Sequence, residues 1–187
     1  MSLIGKGPTM LLAIMLAVAL ACSAALLAAD APAFAVEPCD SDPSTPDCLA
    51  ITSVSPSPGA KDVPLDHGSD FPFGPGSFAT AHFNQPISPS GLHKQIRLKN
   101  LDKGDLNVTG AIWYDVSSFV MAVQPETLDS EGDPIFECGT TYKVRVGGGP
   151  RSGEVKSESG QNISEVPAGV SLKDGIARWK FSTVACS

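Results

Sequence analysis

Cations are scarce in this sequence: 13 Lys and Arg stand against 20 Asp and Glu, giving a formal net charge of -7. Affinity for phosphate backbones comes largely from clustered basic side chains. The densest run is His93, Lys94, Arg97 and Lys99, which is short, so nucleic acid is not an expected partner. Histidine is scarcer still. His67, His82 and His93 lie far apart, in no metal-ligand spacing such as His-Glu-x-x-His. A Gly-x-Ser-x-Gly elbow is missing, and Gly147-Gly-Gly-Pro-Arg-Ser-Gly153 lacks the closing Gly-Lys-Ser/Thr of a phosphate loop. No pair of acids or histidines suggests a catalytic centre, so no catalytic residue, cofactor or metal is expected and the chain reads as a non-enzyme. Helical periodicity is absent from Leu49 onward as well.

What is present begins with an export signal. Residues 1–35 carry Lys6 in a small basic region and then an apolar run from Met10 to Ala29, a hydrophobic helix that holds no charge and ends at Asp30. Ala33-Phe34-Ala35 is a small-x-small site at which cleavage leaves Val36 as the mature N-terminus. Two alternatives stay open. Ala19-Leu20-Ala21-Cys22 is a loose lipobox in which Cys22 would be lipidated, and about 20 apolar residues at about 1.5 Å each can just span a bilayer core as an uncleaved anchor. Each places the remainder outside the cytoplasm, as a secreted or cell-envelope protein that meets the membrane only through this segment.

Cysteine usage agrees with that address. Beyond Cys22 the chain has Cys39, Cys48, Cys138 and Cys186, an even number that suggests two disulfides in an oxidising compartment. Four cysteines allow three connectivities. Proximity favours Cys39 with Cys48 as a local clip, and Cys138 with Cys186 because they precede and follow the last two expected strands, whose ends meet in an antiparallel pair. A four-cysteine zinc site lacks its short ligand spacing here. Residues 36–48 form a Pro/Asp-rich linker; Asp40, Asp42 and Asp47 offer oxygen ligands for calcium, but Pro43 and Pro46 stand where such loops need glycine.

From Leu49 to Ser187 the chain breaks into short apolar stretches separated by Gly, Pro, Asn and Asp, the pattern of an all-β domain. Seven strands are expected: 49–54, 77–83, 95–98, 108–114, 118–123, 140–146 and 176–184. Alternation assigns their faces. Tyr142, Val144 and Val146 turn inward and Thr141, Lys143 and Arg145 outward. Trp179 and Phe181 oppose Lys180, Ile96 and Leu98 oppose Arg97 and Lys99, Ile112 and Tyr114 oppose Trp113, and Ala79, Ala81 and Phe83 oppose His82. Seven such strands suit an immunoglobulin-like antiparallel β-sandwich.

Four segments, in order, carry a family resemblance. Ile51-Thr-Ser-Val-Ser-Pro-Ser-Pro-Gly-Ala-Lys-Asp-Val-Pro64 resembles the opening of bacterial Ig-like domains of the SbsA type. Ala81-His-Phe-Asn-Gln-Pro-Ile87 is similar to their second-strand signature, with Gln85 where Glu is usual. Cys138-Gly-Thr-Thr-Tyr-Lys-Val-Arg-Val146 and Trp179-Lys-Phe-Ser-Thr183 resemble their last two strands. The resemblance implies an Ig-like fold in a surface protein with a structural or adhesive role, and it brings no catalytic residues.

Two segments depart from that pattern. The longer link from Asp66 to Ser77 holds His67, Phe71 and Phe73 in a Gly/Pro frame. Loops at sandwich ends often bind partners, so these three are candidates for contact with a polysaccharide or protein; the competing reading folds both phenylalanines back onto the core. Gly147 to Gly175, polar and glycine-rich, is expected to be a mobile loop.

Overall fold

The computed structural model describes residues 48–68, 76–88, 90, 92–148 and 154–187. In chain order these residues form β1 (Leu49–Ser55), β2 (Ala79–Phe83), β3 (Ile96–Asn100), β4 (Leu106–Asn107), β5 (Thr109–Asp115), β6 (Val120–Pro125), β7 (Thr141–Val146), β8 (Ile163–Glu165), β9 (Ser171–Lys173) and β10 (Ile176–Ser182). One sheet has the order β5-β6-β2-β1-β8 and the other β4-β3-β7-β10-β9. Every pairing between these strands is antiparallel except β1 with β8, where Leu49 lies beside Ile163. The domain is therefore an all-β two-sheet sandwich. The expected hydrophobic helix, the cleavage site at Ala35 and Val36, Cys22 and the Asp40–Asp47 linker lie outside the described residues.

The alternation that marks the strands in sequence also builds the core, because a strand laid on a core buries every second side chain. In β7, Tyr142, Val144 and Val146 are buried; in β10, Trp179 and Phe181; in β3, Ile96 and Leu98; in β2, Ala79, Ala81 and Phe83. Ile112 and Tyr114 of β5 are half-buried and pack against this core, while Trp113 turns outward. Phe136, Tyr142 and Phe181 meet with ring centroids 5.1 to 5.5 Å apart near the end of the sandwich.

Three expectations need correction. Residue 95 does not open a strand: Leu92–Gln95 is a helical turn, and the Gln95 amide donates to the carbonyls of Ser90 and Glu154, which holds the residue out of the ladder. The segment 147–175 is not simply a mobile loop. It supplies β8, which adds to the free edge of β1, and β9, which adds to β10 through Ser171 opposite Arg178. Two-residue β4, paired with the end of β3, was not expected either.

Cys138 precedes β7 and Cys186 follows β10, and the two are joined with their Cα atoms 5.0 Å apart. The same corner is laced by Thr183, whose hydroxyl accepts from the Thr140 N–H at 2.9 Å and donates to the Glu137 carbonyl at 2.7 Å. Cys48 is also disulfide-bonded; Cys39, its expected partner, lies outside the described residues.

Candidate binding surface

His67, the described member of the loop trio, is committed to the fold. Its Nε2 lies 2.8 Å from the Ser55 hydroxyl at the end of β1, and its carbonyl accepts from the Phe78 N–H at 2.8 Å. Ser77 closes the same stem by donating its hydroxyl to the Leu65 carbonyl. Partial burial lowers the His67 pKa against the opposing pull of Asp66, so the neutral ring is favoured. Phe71 and Phe73 lie outside the described residues. His82, on the outer side of β2, is lowered in pKa by burial too, and it is far along the chain from His67. Among the described residues no three His, Cys, Asp or Glu side chains gather to hold a metal.

The chemistry that does gather is basic, and it lies on the outward face of the second sheet. Register places Arg97, Arg145 and Arg178 side by side across β3, β7 and β10. The next outward positions place Lys99, Lys143 and Lys180 side by side across the same strands. Six of the chain's 13 Lys and Arg residues thus form two rows of three. Neighbouring strands run about 4.8 Å apart, so cations repeat at that spacing along each row. The sequence expectation that basic residues make only a short cluster is corrected here: strands distant in the chain bring them together.

Like charges this close must be compensated or endured. Asp105, in the turn before β4, compensates the lysine row. It pairs with Lys143 and, at 2.6 Å, with Lys99. Hydrogen bonds from Lys143 and Lys99 hold its carboxyl down to about 2. The arginine row is less relieved. Burial, with Arg178 and Arg97 nearby, lowers the Arg145 pKa, and its Nε is buried without a hydrogen-bond partner. Among the described residues Arg145, Arg178 and Lys180 enter no ion pair.

A hollow of about 310 Å³ opens on this face, lined by Lys143, Arg178, Trp179, Lys180 and Ser171 with Gly59 and Gly169 in its walls. Its walls are fixed by backbone. The Gly59 N–H donates to the Lys180 carbonyl at 2.7 Å. Gly169 has φ +83° and sits so close to Pro58 that an added Cβ would meet the proline Cβ at 2.8 Å, so the turn between β8 and β9 can abut the β1–β2 connection only as glycine.

No family model matches the chain, and no curated protein matches it. Similar solved structures exist at low identity. Domains 1–6 of surface layer protein SbsC align with 75% of this chain and 14% of that one, at 10% identity and TM-score 0.42. CopC from Methylosinus trichosporium OB3b aligns over 74% of this chain and 96% of that one, at 12% identity and TM-score 0.42. An L,D-transpeptidase from Mycobacterium smegmatis aligns over 73% and 40%, at 15% identity and TM-score 0.38. The chain therefore spans a small part of the SbsC structure, and its own sheet order is what defines the fold.

Proposed function

We propose that this chain is a non-enzymatic, extracytoplasmic Ig-like module with a structural or adhesive role. The observation that carries this reading is the outward face of the second sheet. It spreads six cations over a broad surface of three strands, which suits adhesion by charge; a catalytic centre would instead converge acids, bases or nucleophiles on one reacting atom. Support comes also from the Cys138–Cys186 bridge, a bond that persists where thiols are not kept reduced, from the export signal, and from the resemblance of four strand segments to SbsA-type Ig-like domains. The alternative site, the Asp66–Ser77 loop, has its one described candidate, His67, engaged with Ser55.

The test is sedimentation of the purified exported protein with envelope preparations of the producing cells. Co-sedimentation that is released by salt is expected. Failure to sediment at any salt concentration would remove the adhesive role.

A further inference from the structure

We infer that the basic sheet face is a docking surface for a linear anionic polysaccharide, with the hollow beside Ser171 receiving one of its charged sugar units. The inference rests on the adhesive reading above and names the partner.

An anionic ligand is favoured because the ionisable groups of this face are two rows of three cations against one acid, Asp105. Guanidinium groups in a row suit carboxylate, sulfate or phosphate oxygens, since each presents a fixed fork of donors to paired acceptors. Tyr142 and Phe181 are buried in the core, and Trp179, although it borders the hollow, is only 2% exposed, so none of the aromatic rings of these strands is laid open as a face for stacking. A neutral sugar or an unpaired base, which would be held by stacking on an aromatic ring, finds no platform here. A duplex is read by elements that enter its grooves, whereas these side chains rise from the broad face of a sheet. A membrane surface calls for an apolar wedge beside the cations. Of the exposed large apolar residues, Trp113, Val116 and Leu128 lie outside this sheet, and Leu106 sits on its far edge strand β4, at the opposite end from the hollow.

The repeat of the surface argues for a polymer. Two rows of three cations at strand spacing match a chain that carries an acidic group on successive units, and engaging several at once multiplies a weak single contact. The hollow argues for sugar. Its volume is at the small end of the range for ligand sites. It combines three cations with the Ser171 hydroxyl and glycine-walled backbone, donors and acceptors suited to ring hydroxyls beside an acidic substituent. Ser171 Oγ at present donates to the Arg178 carbonyl at 3.2 Å, a long bond that is readily exchanged.

Binding of alginate, a polyuronate, is measured against dextran as a neutral glucan, with phosphatidylglycerol vesicles and duplex DNA as further probes. Alginate is expected to bind at about 0.05 M salt and to be lost by about 0.5 M, because exposed charges are screened over that range. Dextran is expected not to bind. The double substitution Arg145→Ser/Arg178→Ser should weaken alginate binding about tenfold or more. Lys156→Ser, which removes a cation that belongs to neither row, should leave it unchanged. Melting of each variant identifies any loss of fold, and Ser171→Phe, which fills the hollow at an exposed position, gives a second route to the same loss of binding. The inference is overturned if well-folded Arg145→Ser/Arg178→Ser binds alginate like the parent, if dextran competes, if vesicles or DNA bind more tightly than alginate, or if the face instead drives self-association at low salt. Envelope sedimentation that persists while alginate fails would overturn the glycan and keep the adhesive role.

Discussion

Gln85 shows how one atom decides a residue. The SbsA-type pattern that this segment resembles has Glu at this position; here the buried amide donates to the Cys48 carbonyl at 2.9 Å and to Gln161 Oε1 at 2.8 Å. A carboxylate has no proton to give either oxygen and would be buried against two acceptors. Gln85→Glu is therefore expected to lower stability at neutral pH by about 1–3 kcal/mol. Urea unfolding checks it, and recovery of part of the loss as the carboxyl protonates at acid pH is the expected signature. Asp105 poses the opposite case, an exposed acid that restrains two lysines. Because its folded pKa is depressed to about 2, whatever it contributes is present above the unfolded value near 4 and disappears as pH falls toward 2. Across neutral pH it stays ionised and occupies Lys99 and Lys143. Asp105→Asn frees both, so polyanion binding should tighten severalfold at low salt, while the melting temperature shifts little because surface pairs are weak. A titration showing unchanged or weaker binding would mean that the lysine row takes no part.

Strands were legible in the sequence where alternation ran for five residues or more. β7, β10, β3 and β2 all bury the side chains that period two assigns inward, because one buried face forces that pattern on any strand. β8 and β9 were not legible. Three residues each, in a polar stretch rich in glycine, they have no period to read, and they become strands only because β1 and β10 present unpaired edges to them. The basic face was half legible: the outward orientation of Arg97, Lys99, Lys143, Arg145 and Lys180 follows from alternation, but their assembly into rows depends on the register of β3 and β10 against β7, which no local pattern encodes. The turn that leaves β7 shows how tightly that register is held. Gly147 has φ +99°, donates to the Gln95 carbonyl at 2.6 Å, and would place a Cβ 2.7 Å from the Gly175 carbonyl oxygen. Both the backbone conformation and the contact exclude a side chain, and the obstructing atom is backbone that cannot swing aside. Gly147→Ala should cost about 1–3 kcal/mol, measured as a fall in the urea midpoint. Because β3, β7 and β10 meet beside this turn, the loss is expected to come with weakened protection of their amides against hydrogen exchange, most strongly at the Gln95 and Ile176 ends.

At the scale of the whole molecule, the question is what keeps the two sheets together. The sandwich buries a continuous core from β1 to β10, and the Cys138–Cys186 bridge spans 48 positions of chain, covering the last four strands and both sheets. A cross-link of that length acts mainly on the unfolded chain, which it prevents from exploring extended conformations. Replacing both cysteines, Cys138→Ser/Cys186→Ser, is therefore expected to cost about 2–4 kcal/mol and leave the Cys48 bridge intact. The same argument fixes a second observable. An unfolded chain freed of the cross-link exposes more surface, so the urea m-value should rise as the midpoint falls. A lower midpoint with an unchanged m-value would place the effect in the folded state instead, at the corner where Thr183 ties Glu137 to Thr140. The basic face offers the control that separates stability from binding: below its melting transition Cys138→Ser/Cys186→Ser should retain alginate binding undiminished, because the register of β3, β7 and β10 is set by their ladders and core contacts and not by the bridge.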